Sequence, residues 1–188
     1  MSGLFLVGLF INITAYELFI SALMTWLPAL ILAKILQQSR SFILTIQMSA
    51  IASIFLLALF YVLVEDPSFF WGEVIVNLTE ILIQNGLTDQ ANLISNQSGS
   101  IAQQMTIMII AMTWSLYAIV LILGCAIYYT SSLEVIDYGR FSNLNFGRFF
   151  AIITAISSLL LFLFDLEWLM NLAYLCFLFF WLQGLSLI

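Results

Sequence analysis

Residues 42–64 read FILTIQMSAIASIFLLALFYVLV, and EDP follows at 65–67. The run carries no charge. Coiled as a helix at 1.5 Å per residue it reaches roughly 34 Å, enough to cross a hydrocarbon layer about 30 Å thick. Glu65 and Asp66 cannot stay in hydrocarbon, and Pro67 cannot continue the helix. The segment therefore ends where water begins. Pro67 then suits the first position of a new helix, with Asp66 as its N-cap.

The composition extends this reading to the whole chain. Of 188 residues, 64% are hydrophobic and 7% are charged, with four basic and ten acidic side chains and no His. A soluble domain carries about 25% charge, so this chain would expose apolar patches far beyond those tolerated in water. High hydrophobicity also excludes intrinsic disorder. The expected fold class is all-α, a polytopic membrane bundle in a single domain over 1–188. It has about five transmembrane helices and one amphipathic extracytoplasmic helix.

The spans are expected at about 3–36, 42–64, 103–129, 149–164 and 168–188. The first is longer than a bilayer needs and contains Glu17, Pro28 and Lys34. It reads as one long helix kinked at Pro28 or as two short segments, and the lack of a turn signal between Ser21 and Trp26 favours the first. After Pro67, Glu73, Asn77, Glu80 and Gln84 recur at spacings of four, three and four. Trp71, Val74, Ile75, Leu78, Ile81 and Leu82 form the opposite stripe, so residues 67–85 form an amphipathic helix ended by Asn85-Gly86. The polar stretch from Thr88 to Ser100 reads as a loop. Another polar connection covers 130–145, and Asp165 with Glu167 marks a tight turn.

Lys34 and Arg40 fall in one loop, Arg140 and Arg148 in another, on the same side of these spans. The other connections contain acids and no Lys or Arg. The positive-inside rule puts both basic loops in the cytoplasm and the amphipathic helix outside. An uncharged outer N-terminus, and a C-terminus inside a span, suggest a piece of a larger protein.

Little catalytic chemistry is on offer. Without His there is no Ser-His-Asp triad and no His-based metal site. Cys125 and Cys176 sit in apolar runs and read as small buried hydrophobes. No phosphate-binding or nucleophile motif appears, and four basic residues with a net charge of −6 leave no nucleic-acid footprint. No enzyme, metal or cofactor is expected. Glu17 stands out as an acid within an apolar run. At membrane depth it would be a ligand or ion site, and near an interface it would be ordinary. Gln47, Asn171 and Gln183 could line the same cavity or simply hydrogen-bond between helices. Ala29-x-x-x-Ala33 and Ala151-x-x-x-Ala155 allow close helix approach. Ala29, Ala33, Arg140 and Arg148 are the candidates for docking a partner. Trp26, Trp71, Trp168, Tyr61, Tyr128 and Tyr129 read as interfacial anchors.

The order of landmarks resembles the YybS-like bacterial membrane proteins. They are Trp26-Leu27-Pro28 with Ala33, Arg40-Ser41, Asp66-Pro67 with Phe70-Trp71, Gln104-Met105, Phe141 and Leu144 before Gly147-Arg148, and Phe180 with Gln183-Gly184-Leu185. Asn145-Phe146 departs from the basic run expected before Gly147. The resemblance implies a bacterial inner-membrane location and further spans on either side. A more distant likeness, to the substrate-binding components of energy-coupling-factor transporters, implies a transport-related protein that binds a small molecule from outside. There an alanine-rich motif comparable to Ala29 and Ala33 docks the partner. The alternative is a structural or assembly protein that docks other membrane proteins. The bilayer is the expected surrounding in either case.

Overall fold

A computed structural model of the chain describes residues 15–131, 137–164 and 166–187. Residues 3–14 of the expected first span, and the acids Glu134 and Asp165, lie outside the described residues. Among those described are seven α-helices and no strand. They are α1 (Ala15–Ser39), α2 (Phe42–Leu63), α3 (Pro67–Gln84), α4 (Thr88–Asn96), α5 (Ser98–Ser131), α6 (Gly147–Leu163) and α7 (Glu167–Leu185), with a 3-10 turn at Phe141–Asn143. This is an all-α helical membrane bundle. Within α1, α2, α5 and α7, the segments Phe19–Ser39, Phe42–Leu63, Ser98–Thr130 and Glu167–Leu185 are long and apolar enough to cross a membrane. Apolar α6 has 17 residues, about 26 Å of helix, the short limit for a span.

The caps follow from side-chain chemistry. Ser41 accepts the Leu44 N–H at 3.3 Å and opens α2. Asp66 accepts the Phe69 N–H at 2.9 Å, with Pro67 in the first turn of α3. Gly86, at φ +78°, ends that helix in a conformation that suits glycine. Helix α1 runs through Pro28 without interruption.

Helices α2, α5 and α7 pack against one another at the centre. Helix α1 lies on α2, α6 on α7, and α3 on α5. Helix α2 turns a face of small and hydroxyl residues inward. Thr45, Ser49, Ala50 and Ser53 are buried there. Their hydroxyls bond back to Ser41, Ile46 and Ala50 carbonyls, so none is left unpaired. Small side chains let the backbones approach, and Ser49 Oγ also accepts the Trp114 indole N–H at 3.1 Å from α5. Beside that bond Trp114, Phe146, Phe150 and Phe179 form a buried aromatic cluster. Trp114 and Phe179 meet edge-on at 4.7 Å, and Phe146 stacks on Phe179 at 5.5 Å.

Two expectations change. Residues 88–96 form a helix, where a loop is expected from their polar composition. Ala91 of α4 is 2% exposed in a helix that packs on α3, so tertiary contact overrides weak propensity. Helix α5 also begins more than a turn before position 103, at Ser98. On α3 itself Ile75 is buried, Trp71 and Leu82 are half-buried, and Val74, Leu78 and Ile81 remain exposed.

The aromatic cluster should dominate the bundle's stability. Phe179→Ala should cost about 3–5 kcal/mol, read as a lowered midpoint of reversible unfolding in mixed detergent. Phe162→Ala, at a side chain 89% exposed, should change it little.

Candidate functional site

The three amides do not converge on one cavity. Gln47 and Gln183 meet, but across a peptide bond. The Gln47 Nε2 donates to the Asn145 carbonyl at 2.7 Å, and the Phe146 N–H donates to the Gln183 Oε1 at 2.9 Å. The C=O and N–H belong to the same peptide unit, held from α2 on one side and from α7 on the other. Asn145 Oδ1 also accepts the Gly147 N–H at 2.7 Å. The chain is turning into α6 here, and Phe146 is buried. The first N–H groups of a helix have no partner within it and need one from outside. A carboxamide is neutral and offers both a donor and an acceptor, so glutamine suits either half of this peptide at no charge cost.

Asn171 lies twelve positions before Gln183 on α7, roughly 18 Å away along the helix. It is fully buried. Its Nδ2 donates to the Tyr61 hydroxyl at 2.6 Å and more weakly to the Gln103 carbonyl at 3.4 Å. Asn171 Oδ1 is buried with no hydrogen-bond partner among the described residues. Around it, Ser68 donates to Glu167 and the Trp71 indole donates to Thr106, each at 2.8 Å. These bonds stitch α2, α3, α5 and α7 at one end of the bundle. Glu65, Asp66 and Glu167 lie at this end, and α3 and α4 add Glu73, Glu80 and Asp89.

Glu17 lies near the start of α1 and is exposed. About 22 residues, or roughly 33 Å, separate it from Ser39. Helix α2 covers the same length on its way back to Leu63. Glu17 is thereby level with the acidic end. Lys34, Arg40, Arg140 and Arg148 gather at the other end, where the Phe42 N–H bonds the Tyr138 carbonyl at 2.7 Å. Arg140 and Arg148 are exposed on either side of the 3-10 turn. Ala29 is half-buried, whereas Ala33, Ala151 and Ala155 are exposed. Trp26 sits midway along α1 rather than at an end.

Concave surfaces lie at several places among the described residues. One of about 620 Å³ between α5 and α7 is nearly all apolar, with Gln104 and Tyr174 as its polar members. One of about 510 Å³ lies on α3, along Phe69, Gly72, Glu73, Val76 and Asn77. One of about 170 Å³ lies at the basic end beside Arg140. Among the described residues no three Cys, Asp or Glu gather to hold a metal, and Cys125 and Cys176 are free thiols.

The chain matches no family model, no curated protein and no solved structure.

The partners of Gln47 and Gln183 were not legible in the sequence, because both bonds go to backbone about a hundred or forty positions away. Tyr61 as the partner of Asn171 was hidden for the same reason. Both glutamines being set toward one peptide makes their effects interdependent. Gln47→Met and Gln183→Met should each lose about 1–3 kcal/mol. A double-mutant cycle on unfolding free energy should give a coupling of at least about 0.5 kcal/mol. Glu17→Gln should leave stability within about 0.5 kcal/mol.

Proposed function

We propose that this multi-pass membrane protein is a non-enzymatic docking component that holds another membrane protein through the exposed face of α3. The observation that carries the reading is the contrast between the amides and α3. Gln47 and Gln183 are spent on the protein's own backbone. Helix α3 keeps Glu73, Asn77, Glu80 and Gln84 exposed, and Phe69 and Val76 beside them. Apolar side chains flanking carboxylates at the bilayer's edge offer contact area and charge for a partner. The exposed Ala151 and Ala155 of α6 supply a second close-approach surface. The likeness to YybS-like proteins adds a bacterial inner-membrane setting, with the acidic end outside under the positive-inside rule.

A second reading, a transport-related component that binds a small molecule, is favoured by one observation. The buried Asn171 Oδ1 would accept a hydrogen bond from a ligand donor.

A photo-crosslinking residue at Val76 or Asn77, in the full chain in native membranes, separates the two. The docking reading expects one discrete adduct with a membrane protein, absent when the probe is at lipid-facing Ile119. No adduct, together with a metabolite retained through purification and lost in Asn171→Leu, supports the small-molecule reading instead.

A further inference from the structure

We propose that α1 is a hinged strap, latched to α5 by the Tyr117 hydroxyl. Its first half, residues 15–24, swings about the turn at 25–28, while its second half stays fixed. The hinge begins with Pro28, which stands inside α1. Proline has no N–H, so the Met24 carbonyl loses its intrahelical donor, and the ring crowds the same turn. Helix α1 continues through that turn with a backbone bond missing. Proline is a common cause of bending in long helices.

Two side-chain bonds gather at the weakened turn. The Tyr117 hydroxyl donates to the Thr25 carbonyl at 2.9 Å. The Thr25 hydroxyl donates back to the Ser21 carbonyl at 2.8 Å, a pattern that itself bends helices. In membrane helices, groups on neighbouring helices steady the backbone that a proline loosens. Tyr117 stands in that place. Thr25 lies midway along α1, where the hydrocarbon offers no water to replace the bond.

Packing supplies the independent observation, because it differs on the two sides of Pro28. Beyond it Leu32 is buried, and Leu36 packs against the core cluster. The Leu36 carbonyl also accepts the Arg40 N–H at 2.9 Å. Before Pro28 the described side chains of α1 are exposed or half-buried, and none joins that cluster. Tyr16, Phe19 and Leu23 are all exposed. Segments with few buried apolar contacts are the first to open, and a hinge confines the change to a few residues between two limbs. A single hydrogen bond shifts a two-state equilibrium by roughly two- to ten-fold. The Tyr117 bond is therefore strong enough to bias the strap and weak enough to release it.

The test uses the full chain, with Cys125 and Cys176 replaced by alanine, in phosphatidylcholine nanodiscs. Distances between paired spin labels are read by double electron–electron resonance. One pair, at Phe19 and Val62, joins the swinging half to the end of α2. The other, at Ile31 and Ile51, joins the fixed half to the middle of α2. All four positions are exposed. The Phe19–Val62 pair should show a second, longer distance beside the main one. Tyr117→Phe keeps the ring and removes the hydroxyl, and should enlarge the longer population about two-fold or more. Pro28→Ala restores the missing N–H and should shrink it. The Ile31–Ile51 pair should stay narrow and unmoved throughout. An unchanged Phe19–Val62 profile in Tyr117→Phe would overturn the latch, and an unchanged one in Pro28→Ala would overturn the hinge. Broadening of both pairs alike in Tyr117→Phe would mean that the hydroxyl only supports the bundle, and would overturn the proposal as well.

Discussion

One peptide unit, that of residues 145 and 146, takes its hydrogen bonds from two side chains on different helices, and the basic end of the bundle is joined through it. Helices α2 and α3 open on the local caps Ser41 and Asp66. At the entry to α6 the chain leaves a 3-10 turn and starts a new helix while Phe146 is already buried against Trp114 and Phe179. Gln47 and Gln183 close the gap from opposite sides. Once that peptide is held, Phe146 can act as the wedge of the aromatic cluster, and α6 can lie along α7. The polar bond and the apolar core are thus two faces of one junction.

The cost of charge in hydrocarbon sorts the ionisable residues. Four cations stand at one end of the bundle, and the described acids other than Asp137 stand at or beyond the other. Between them the buried polar side chains are hydroxyls and one carboxamide. The hydroxyls of Thr45, Ser49 and Ser53 are all bonded. The acidic end is closed by neutral donors, Asn171 to Tyr61 and Trp71 to Thr106, and by Ser68 on Glu167. Each end therefore has its own chemistry. The acidic end presents α3, and the basic end presents a small cavity under Arg140.

The helical spans were readable because their signal is composition over twenty or so residues, which no local detail upsets. The break at Glu65-Asp66-Pro67 was readable because charge, cap and proline all act within three positions. Helix α4 was not, since its polar residues have weak helix propensity and its fold rests on Ala91 meeting α3. Glu17 was open between membrane depth and an interface while the apolar run was counted from residue 3. Measured back from the turn at Ser39, it falls level with the acidic end. The amides were recognisable as notable residues, but their partners are distant backbone atoms that carry no residue signature. Exposure on α3 was likewise illegible, because an amphipathic pattern shows which stripe is apolar and not how much of it a neighbour covers.

The central claim is that one hydrocarbon band separates a basic end from an acidic end. Single cysteines in a chain whose Cys125 and Cys176 are replaced by alanine test it directly. They are placed at Gln38 and Ser142 for the basic end and at Asn85 and Asn96 for the acidic end, then treated with a membrane-impermeant maleimide in sealed membranes. The account predicts that Gln38 and Ser142 label from one face only, and Asn85 and Asn96 from the opposite face only. Labelling of Gln38 and Ser142 from different faces, or of Asn96 together with Ser142, would contradict it.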